Sequence, residues 1–482
     1  MRWQYILKII GILMIFLAFS MVVPLVVCFF YKESITPFIW SITIIVFTGL
    51  ALIGLSKKLS DEDYINQKEG MAAVALAWTA ISLFGALPFY FSPDFSSFTD
   101  AFFESVSGFT TTGSSVMTDI EGANFSLLFW RSLIQWLGGM GIIVLSLAIL
   151  PFLGVGGIQL YKAEVPSPVP DKLTPRLSDS AKILWLVYAG FTLLEIVFLL
   201  AGGMPLFDAT CHALTTLPTG GFSPKNTSLA HYNSAYFDSV VIFFMVLAGI
   251  NFTLHYQMLR GKTLAFWQDM ECRFFLGLIL LLTAVIAWDI YGPVYGSFMD
   301  AIRFSGFQVV SIVTTTGFAT ADYELFPGLS QILLFVCMFI GGSAGSTGGG
   351  MKCARIIACC KYCYRELFKL IHPRSIRQIR INNIVIPDEI LRSIMGFLAL
   401  YIGLFFLAGI VLAGMGLDMM TSFGAVAACI GNIGPGFGSV GPAENFAHLP
   451  GLAKWVLSWC MLLGRLEIYT VIILFVPEFW KK

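Results

Sequence analysis

Apolar runs long enough to cross a bilayer recur along the whole chain, separated by short polar segments. A helix needs about 20 such residues to span about 30 Å of hydrocarbon, so the pattern predicts an all-α integral membrane protein. Two spanning helices come first, at 6–31 and 37–56, and a polar loop follows at 56–70. The first run is too long for a signal peptide and no small-residue cleavage site follows it, so we expect a retained helix.

After this polar loop, a pattern of four elements begins and then recurs. It consists of a long apolar helix, a shorter apolar helix, a Thr/Gly-rich segment and a second long helix. We name the four Thr/Gly-rich segments pore loops 1 to 4; they read TTTGS at 110–114, PTGGF at 218–222, TTTGF at 314–318 and NIGPG at 432–436. Their predicted central glycines are Gly113, Gly220, Gly317 and Gly434. Such regular recurrence indicates internal duplication.

The duplication predicts four tandem helix–pore loop–helix repeats around one pore, preceded by two extra transmembrane helices. The predicted units are 1–69 for the two leading helices and their loop, 70–160 for repeat 1, 161–262 for repeat 2, 263–380 for repeat 3 with an intramembrane glycine-rich loop, and 381–482 for repeat 4.

Each shorter helix is predicted to enter the membrane without crossing it. It begins near an aspartate (Asp100, Asp208, Asp300 or Asp418), a residue that can bond the free amides of a helix start. It ends in a pore loop. Irregular backbone at membrane depth is tolerated only where it is buried in protein or lines a water-filled cavity, so four such loops indicate a pore.

Composition excludes a soluble protein. Hydrophobic residues make up 57% of the 482 positions and charged residues only 12%, about half the usual share. Lys and Arg concentrate at both termini and in 57–69, 152–182, 259–273 and 352–392, which by the positive-inside rule places both termini in the cytoplasm. The zero net charge gives no indication of a nucleic-acid partner.

The pore loops suit a dehydrated cation. Backbone carbonyls can replace the water shell of potassium, and glycine permits the dihedrals that this requires. The candidate potassium site, formed mainly by backbone carbonyls, comprises Thr111, Thr112, Gly113, Pro218, Thr219, Gly220, Thr315, Thr316, Gly317, Asn432, Ile433 and Gly434. Potassium is then the substrate, and no other cofactor is expected.

From about residue 60 to its end, the chain resembles the Trk/Ktr/HKT superfamily of potassium transporters. The motifs that carry this resemblance are FTTTGSS, PTGGFS, TTTGFAT and NIGPGFGSVGP, and the two leading helices are typical of a TrkH-type subunit. The resemblance implies potassium uptake across the bacterial inner membrane, with one filter glycine per loop. Pore loop 2 departs most, with Pro218 where the others carry Thr or Asn.

The resemblance also implies partners. Two subunits would pair as a homodimer, each with its own pore, and a cytosolic TrkA-like regulatory ring that binds nucleotide would dock on the inner face. The basic segment 361–388 and the loops 152–180 and 259–273 would form the docking surface. A topological anchor in contact with anionic lipid accounts for the basic segment equally well.

The glycine-rich segment 339–352, which we name the gate loop, is the first gate candidate. Its six glycines cost about 1 kcal/mol each in a helix interior, so we expect it to unwind. The six glycines of the gate loop are Gly341, Gly342, Gly345, Gly348, Gly349 and Gly350. It is not a phosphate-binding loop, because Met351 separates Gly350 from Lys352. The resemblance implies a mobile gate below the filter, while a packing kink is the alternative.

Arg465 is the second gate candidate, because it interrupts the apolar run 455–476. A charge at mid-helix costs at least about 2.5–3.5 kcal/mol, so it should face a cavity or a partner. The resemblance implies a cationic barrier below the filter, and a structural ion pair with another helix is the alternative. Arg131, Lys225 and Lys454 are predicted to be interfacial residues of the outer surface. Near the outer mouth, Glu104 either attracts cations or braces its pore helix.

Other classes of function fit less well. An enzyme would need clustered catalytic groups, whereas the five histidines are dispersed and no HExxH motif occurs. The cytoplasmic cysteines 353, 359, 360 and 363 lack the paired spacing of a metal site. A cation symporter coupled to sodium or protons remains the alternative to passive flux.

Overall fold

The computed structural model describes residues 1–56, 67–141, 177–382 and 384–481, and these form a mainly helical bundle. The predicted docking loop 152–180 therefore lies almost entirely outside the described residues. The α-helices, in chain order, are α1 Trp3–Ser20, α2 Val22–Tyr31, α3 Thr36–Leu55, α4 Gln67–Gly85, α5 Leu87–Tyr90, α6 Phe98–Phe109, α7 Phe125–Trp136, α8 Leu177–Ala201, α9 Leu206–Thr216, α10 Ala235–Gly249, α11 Phe252–Leu259, α12 Ala265–Gln268, α13 Met270–Ile290, α14 Phe298–Val313, α15 Gly328–Cys337, α16 Cys353–Ile371, α17 Asp388–Gly414, α18 Met419–Gly431, α19 Gly451–Arg465, α20 Tyr469–Ile472 and α21 Pro477–Trp480.

Short elements complete the chain. A π-helical turn, Leu137–Gly141, continues α7, and 3₁₀ turns lie at Ser228–Tyr232, Tyr323–Leu325 and Ile473–Phe475. The strands β1 Arg380–Ile381 and β2 Ile384–Val385 form a small antiparallel hairpin before α17, in which Arg380 pairs with Val385.

Six helices of the described ranges are long and apolar enough to cross a membrane, or eight if each of two bent pairs counts as one span. Their outward faces carry large apolar side chains, as lipid contact requires; Phe29 and Trp288 are each about four-fifths exposed. The first span, Trp3–Tyr31, is divided between α1 and α2 near Pro24. Proline has no N–H to donate to the carbonyl four residues earlier, which breaks the regular helix there.

The four pore helices are α6, α9, α14 and α18, with 12, 11, 16 and 13 residues. At about 1.5 Å per residue the longest reaches about 24 Å, which is too short to cross the hydrocarbon. Their aspartates act in different ways. Asp418 caps α18 by accepting from the Thr421 amide, whereas Ser97 caps α6 by accepting from the Asp100 amide.

Two apolar stretches, each long enough to be one membrane span, bend sharply and divide into two helices. Helices α10 and α11 meet at 100° and helices α19 and α20 at 114°. The expectation of one helix through 455–476 is therefore wrong, because α19 ends at Arg465 and the backbone turns through Glu467 and Ile468, which have φ values of 60° and 40°. Arg465 thus lies at a helix end, where its guanidinium can bond carbonyls of neighbouring segments.

Candidate ion pathway

The four pore loops share one backbone conformation. Thr111, Thr219, Thr315 and Asn432 have φ values of 54°, 57°, 60° and 54°. The glycine two positions later also has positive φ, at 86° for Gly113, 77° for Gly221, 83° for Gly317 and 108° for Gly434. Left-handed backbone at a threonine is uncommon, so its repetition in three loops and at asparagine in the fourth shows that the segments are built alike.

The hydrogen bonds at the pore-helix ends give the same alignment. The residue between the two left-handed positions donates its N–H to the carbonyl five residues earlier, from Thr112 to Ser107, Gly220 to Thr215, Thr316 to Ser311 and Ile433 to Ala428, at 2.8, 2.8, 2.8 and 2.9 Å. This six-to-one bond is the Schellman closure of a helix C-terminus. Each pore helix therefore ends in the same way before the chain extends.

This alignment corrects the prediction for pore loop 2 by one residue. Gly221, not Gly220, is the counterpart of Gly113, Gly317 and Gly434. Pro218 accordingly corresponds to Thr110, Thr314 and Gly431, and not to the Thr and Asn residues that follow them. The sequence PTGGF has two adjacent glycines, and only the backbone dihedrals distinguish them.

The pore loops form a closed ring in chain order. A Cβ atom added to Gly113, Gly221 or Gly317 would lie 2.2, 2.0 or 1.8 Å from the carbonyl oxygen of Gly220, Thr316 or Ile433 in the next loop. A Cβ on Gly434 would lie 2.9 Å from the Thr112 oxygen, which returns the ring to loop 1. These distances leave no room for a side chain. We call the oxygens of Thr112, Gly220, Thr316 and Ile433 the ring oxygens.

Hydrogen bonds of threonine hydroxyls stabilise the ring. Thr110 and Thr112 share a hydroxyl hydrogen bond of 2.7 Å, and Thr314 and Thr316 share one of 2.8 Å. The Asn432 amide donates to the Thr112 hydroxyl at 2.9 Å, which joins loop 4 to loop 1. All five side chains are buried, so these bonds hold residues within pore loops 1 and 3 together and hold loop 4 against loop 1.

The gate loop packs directly against two of the pore loops. Its backbone is not helical, and Gly341, Gly345 and Gly350 adopt φ values of 78°, 75° and 70°. The Gly349 amide donates to the Thr315 hydroxyl at 2.6 Å, and the Thr347 hydroxyl donates to the Leu217 carbonyl at 2.8 Å. The gate loop therefore contacts pore loop 3 and the residue that precedes pore loop 2. The predicted interruption of the helix is confirmed, since α15 ends at Cys337 and α16 begins at Cys353.

The segment Gly341–Gly345 also matches the GxSxG spacing of a hydrolase nucleophile turn. That turn needs a strand before the serine and a helix after it. Here α15 precedes Ser343, and the Ser343 amide donates to the Gly249 carbonyl. The spacing is therefore not accompanied by the geometry of a nucleophile.

Arg465 joins the gate loop to the π-turn after α7. Its guanidinium donates to the Thr347 carbonyl at 2.8 Å and to the Gly138 and Gly139 carbonyls at 2.7 Å each. The nearby Glu467 carboxylate instead bonds Arg355. Arg465 thus links the end of helix α19 to the gate loop and to the π-turn that follows α7.

Glu271, which sequence reasoning missed, joins the middle of the gate loop to the start of helix α16. One carboxylate oxygen accepts the Ala344 amide at 2.7 Å and the Ala354 amide at 2.8 Å. The side chain is buried at the start of α13. No sequence motif indicates this role, because Glu271 lies 73 and 83 residues from its two partners in the chain. We call Glu271 and its two amide partners the Glu271 clamp.

Comparison with known proteins identifies the family to which this chain belongs. The TrkH family model, described as a cation transport protein, matches residues 38–482. The chain belongs to the TrkH family. Two relatives named Trk system potassium uptake protein TrkH are 39% identical over 490 residues (Salmonella typhimurium) and 40% identical over 491 residues (Halomonas elongata), with full coverage of both chains in each case.

A solved TrkH structure has the same fold. The crystal structure of the potassium transporter TrkH from Vibrio parahaemolyticus matches this chain with a TM-score of 0.90 and 36% identity, over 100% of both chains. The predicted TrkH-type resemblance and the all-α membrane fold are thereby confirmed. The relatives are named as uptake proteins and not as enzymes, in agreement with the expectation from the histidines.

Two cations of this TrkH family member do not lie where the sequence suggested. Arg131, predicted to be interfacial, is buried and donates to Glu104 at 2.5 Å and to the Ser223 carbonyl at 2.9 Å. Glu104 also accepts the Val116 amide at 2.9 Å. The pair therefore joins its pore helix to the residues that follow pore loops 1 and 2, and the bracing alternative for Glu104 is the one that the structure supports. Lys454 is likewise buried and bonds Asp100 at 2.6 Å.

The basic segment 361–388 lines a surface cavity of about 430 Å³. Arg365 bonds Glu366 at 3.1 Å and Asp388 at 2.7 Å, and Lys369 bonds Glu366 at 3.1 Å. The hydrogen bond from Lys369 and, after it, the one from Arg365 hold the pKa of Glu366 below its usual range. The cavity is lined by Cys360, Lys361, Tyr364, Arg365, Arg377, Gln378, Ile379 and Arg380.

Proposed function

We propose that this chain carries potassium into the cell across the bacterial inner membrane, with both termini in the cytoplasm. The closed ring of pore loops supports this proposal most directly, because a carbonyl oxygen of each loop lies beside the glycine of a neighbouring loop all the way round the ring. Carbonyl rings of this kind replace the hydration shell of a permeating cation. The names of the relatives point to the same substrate.

In this proposal the potassium ligands are backbone carbonyls of the left-handed threonine or asparagine, the ring-oxygen residue and the glycine of each pore loop. Pro218 lies one position before this set. The proposed ligands are Thr111, Thr112, Gly113, Thr219, Gly220, Gly221, Thr315, Thr316, Gly317, Asn432, Ile433 and Gly434. The negative ends of the four pore-helix dipoles would favour a cation below them.

The gate loop and Arg465 would control passage below this ring. The Gly349 amide of the gate loop bonds the Thr315 hydroxyl of pore loop 3, and Arg465 bonds the gate loop through Thr347. A positive charge on the route raises the cost of cation entry until the loop moves. In this proposal the arrangement described here is the closed one, and opening would require the Glu271 clamp or the Arg465 bonds to break.

We further propose the partners that the resemblance implied. Two subunits form a homodimer, each with its own pore, and a cytosolic TrkA-like ring that binds nucleotide docks on the inner face. The basic cavity beside Arg365, together with 259–273, supplies a positive docking surface. Contact with anionic lipid is the competing use of the same charges.

The test is uptake of radiolabelled rubidium by proteoliposomes that contain the purified chain. We expect uptake that potassium inhibits more strongly than sodium does. Imposed sodium and proton gradients test the symport alternative, since coupled transport would follow those gradients and passive flux would not. Absence of alkali cation uptake, with and without a regulatory partner, would contradict the proposal.

A further inference from the structure

Pore loop 2 differs from the others at its ring-oxygen residue. Loops 1, 3 and 4 carry Thr112, Thr316 and Ile433 there, whereas loop 2 carries Gly220. Gly220 does not have the positive φ that would require glycine. A Cβ atom at this position would lie 2.4 Å from the Cδ atom of Gln135. Gly220 is therefore small because the Gln135 side chain occupies the space in which the other loops place their own side chains.

Gln135 uses this space to bond the backbone on both sides of Gly221. Its Nε2 donates to the Gly220 ring oxygen at 2.7 Å, and its Oε1 accepts the Phe222 amide at 3.1 Å. The reversed amide would face a donor with a donor and an acceptor with an acceptor, so the two bonds fix its orientation. Gln135 is fully buried near the end of α7.

The bond to Gly220 makes the ring electrically unequal. No protein donor from the described ranges reaches the ring oxygens of Thr112, Thr316 or Ile433. A carbonyl that accepts an N–H has part of its lone-pair density engaged and is held at a fixed distance from its donor. The cation would therefore meet three unengaged ring oxygens and one that is tethered.

We infer that Gln135 is a specificity-determining residue of the filter, which positions the Gly220 oxygen and limits its approach to the cation. This inference deepens the proposed function and rests on it. Sodium is smaller than potassium and needs oxygens at shorter distance. A tethered oxygen cannot follow a smaller ion inward, so the Gln135 bond disfavours sodium more than potassium.

Gln135→Met tests the inference, because methionine has similar length and cannot make either bond. We expect about fivefold stronger inhibition of rubidium uptake by sodium, relative to inhibition by potassium, since one hydrogen bond is lost at the ring. The matched control is Gln331→Met, whose amide bonds the Glu324 and Phe326 carbonyls outside the ring. An unchanged sodium-to-potassium ratio in a well-folded Gln135→Met protein would overturn the inference.

A second test reads the packing without transport. Gly220→Ala should lower the melting temperature of the purified protein, and the fall that it causes should be smaller in a Gln135→Ala background, where the added Cβ atom no longer meets the Gln135 side chain. The fall caused by Gly221→Ala should be the same in both backgrounds, because its Cβ would lie 2.0 Å from the Thr316 oxygen and its φ is 77°. Equal tolerance of Gly220→Ala with and without Gln135 would overturn the inference. A wild-type protein that carries no alkali cation would instead contradict the proposed function, whatever the melting temperatures.

Discussion

Replacing Glu271 by alanine should release the gate loop. In the structure, one carboxylate oxygen accepts the amides of Ala344 and Ala354, at 2.7 and 2.8 Å. A buried donor that loses its acceptor costs about 1–3 kcal/mol, so the two amides together destabilise the closed arrangement by about 2–6 kcal/mol. Even the lower figure shifts the closed-to-open equilibrium about 30-fold towards open. We therefore expect Glu271→Ala to raise rubidium uptake in the absence of a regulatory partner.

The assay compares Glu271→Ala with two other variants in the same proteoliposomes. Glu271→Gln keeps an oxygen that can accept both amides but loses the charge, so its uptake should fall between wild type and Glu271→Ala. Glu69→Ala removes another buried carboxylate, which bonds Arg2. It should lower the melting temperature without raising uptake.

Two results would refute this reasoning. Uptake by a monodisperse Glu271→Ala protein equal to that of wild type would show that the Glu271 clamp does not restrain the gate loop. Equal gains in Glu271→Ala and Glu69→Ala would show that loss of general stability, and not release of the gate loop, causes the flux. Melting temperatures measured on the same preparations separate these cases.

Three further changes test other parts of the pathway. Gly113→Ser should reduce the preference for potassium over sodium in rubidium uptake competition, because its Cβ would lie 2.2 Å from the Gly220 ring oxygen. The control is Gly203→Ser, which also has positive φ (92°) but has no atom within 4 Å of its Cβ position, so it should leave selectivity unchanged. Arg465→Ala should raise basal rubidium uptake by removing both the positive charge and three bonds to carbonyls, and uptake at or below that of wild type would contradict the barrier. Glu104→Gln should lower the melting temperature more than the double replacement of Glu104 and Arg131 by methionine does, since breaking one side of a buried pair costs about 3–5 kcal/mol and removing both sides does not leave a lone charge.

The sequence was sufficient for the repeated features of the fold. Pore helices too short to span, a break at the gate loop and glycine-bearing pore loops are all properties of local segments, and local composition determines them. The bends at Ile250 and after Arg465 were not predictable in this way, because apolar residues continue on both sides of each bend. Hydropathy measures transfer into lipid and does not record helix direction.

Contacts between distant residues account for most of what the sequence did not reveal. Arg131 resembles an interfacial cation until Glu104 is placed beside it. The correct glycine of pore loop 2 could not be chosen from two neighbours without the dihedrals and without Gln135, which lies on another helix. In each case the deciding interaction joins segments whose proximity only the folded chain establishes.

The contact between pore loops 4 and 1 has a consequence for biosynthesis. The Ser114 hydroxyl donates to the Gly434 carbonyl, and the Asn432 amide donates to the Thr112 hydroxyl, across 320 residues in each case. The ring therefore cannot close until the last repeat has left the ribosome and entered the bilayer. Contacts of such separation form slowly because a long loop must close first. Until then only three of the four pore loops are present, and the ring of carbonyl oxygens stays open on the side that pore loop 4 will occupy.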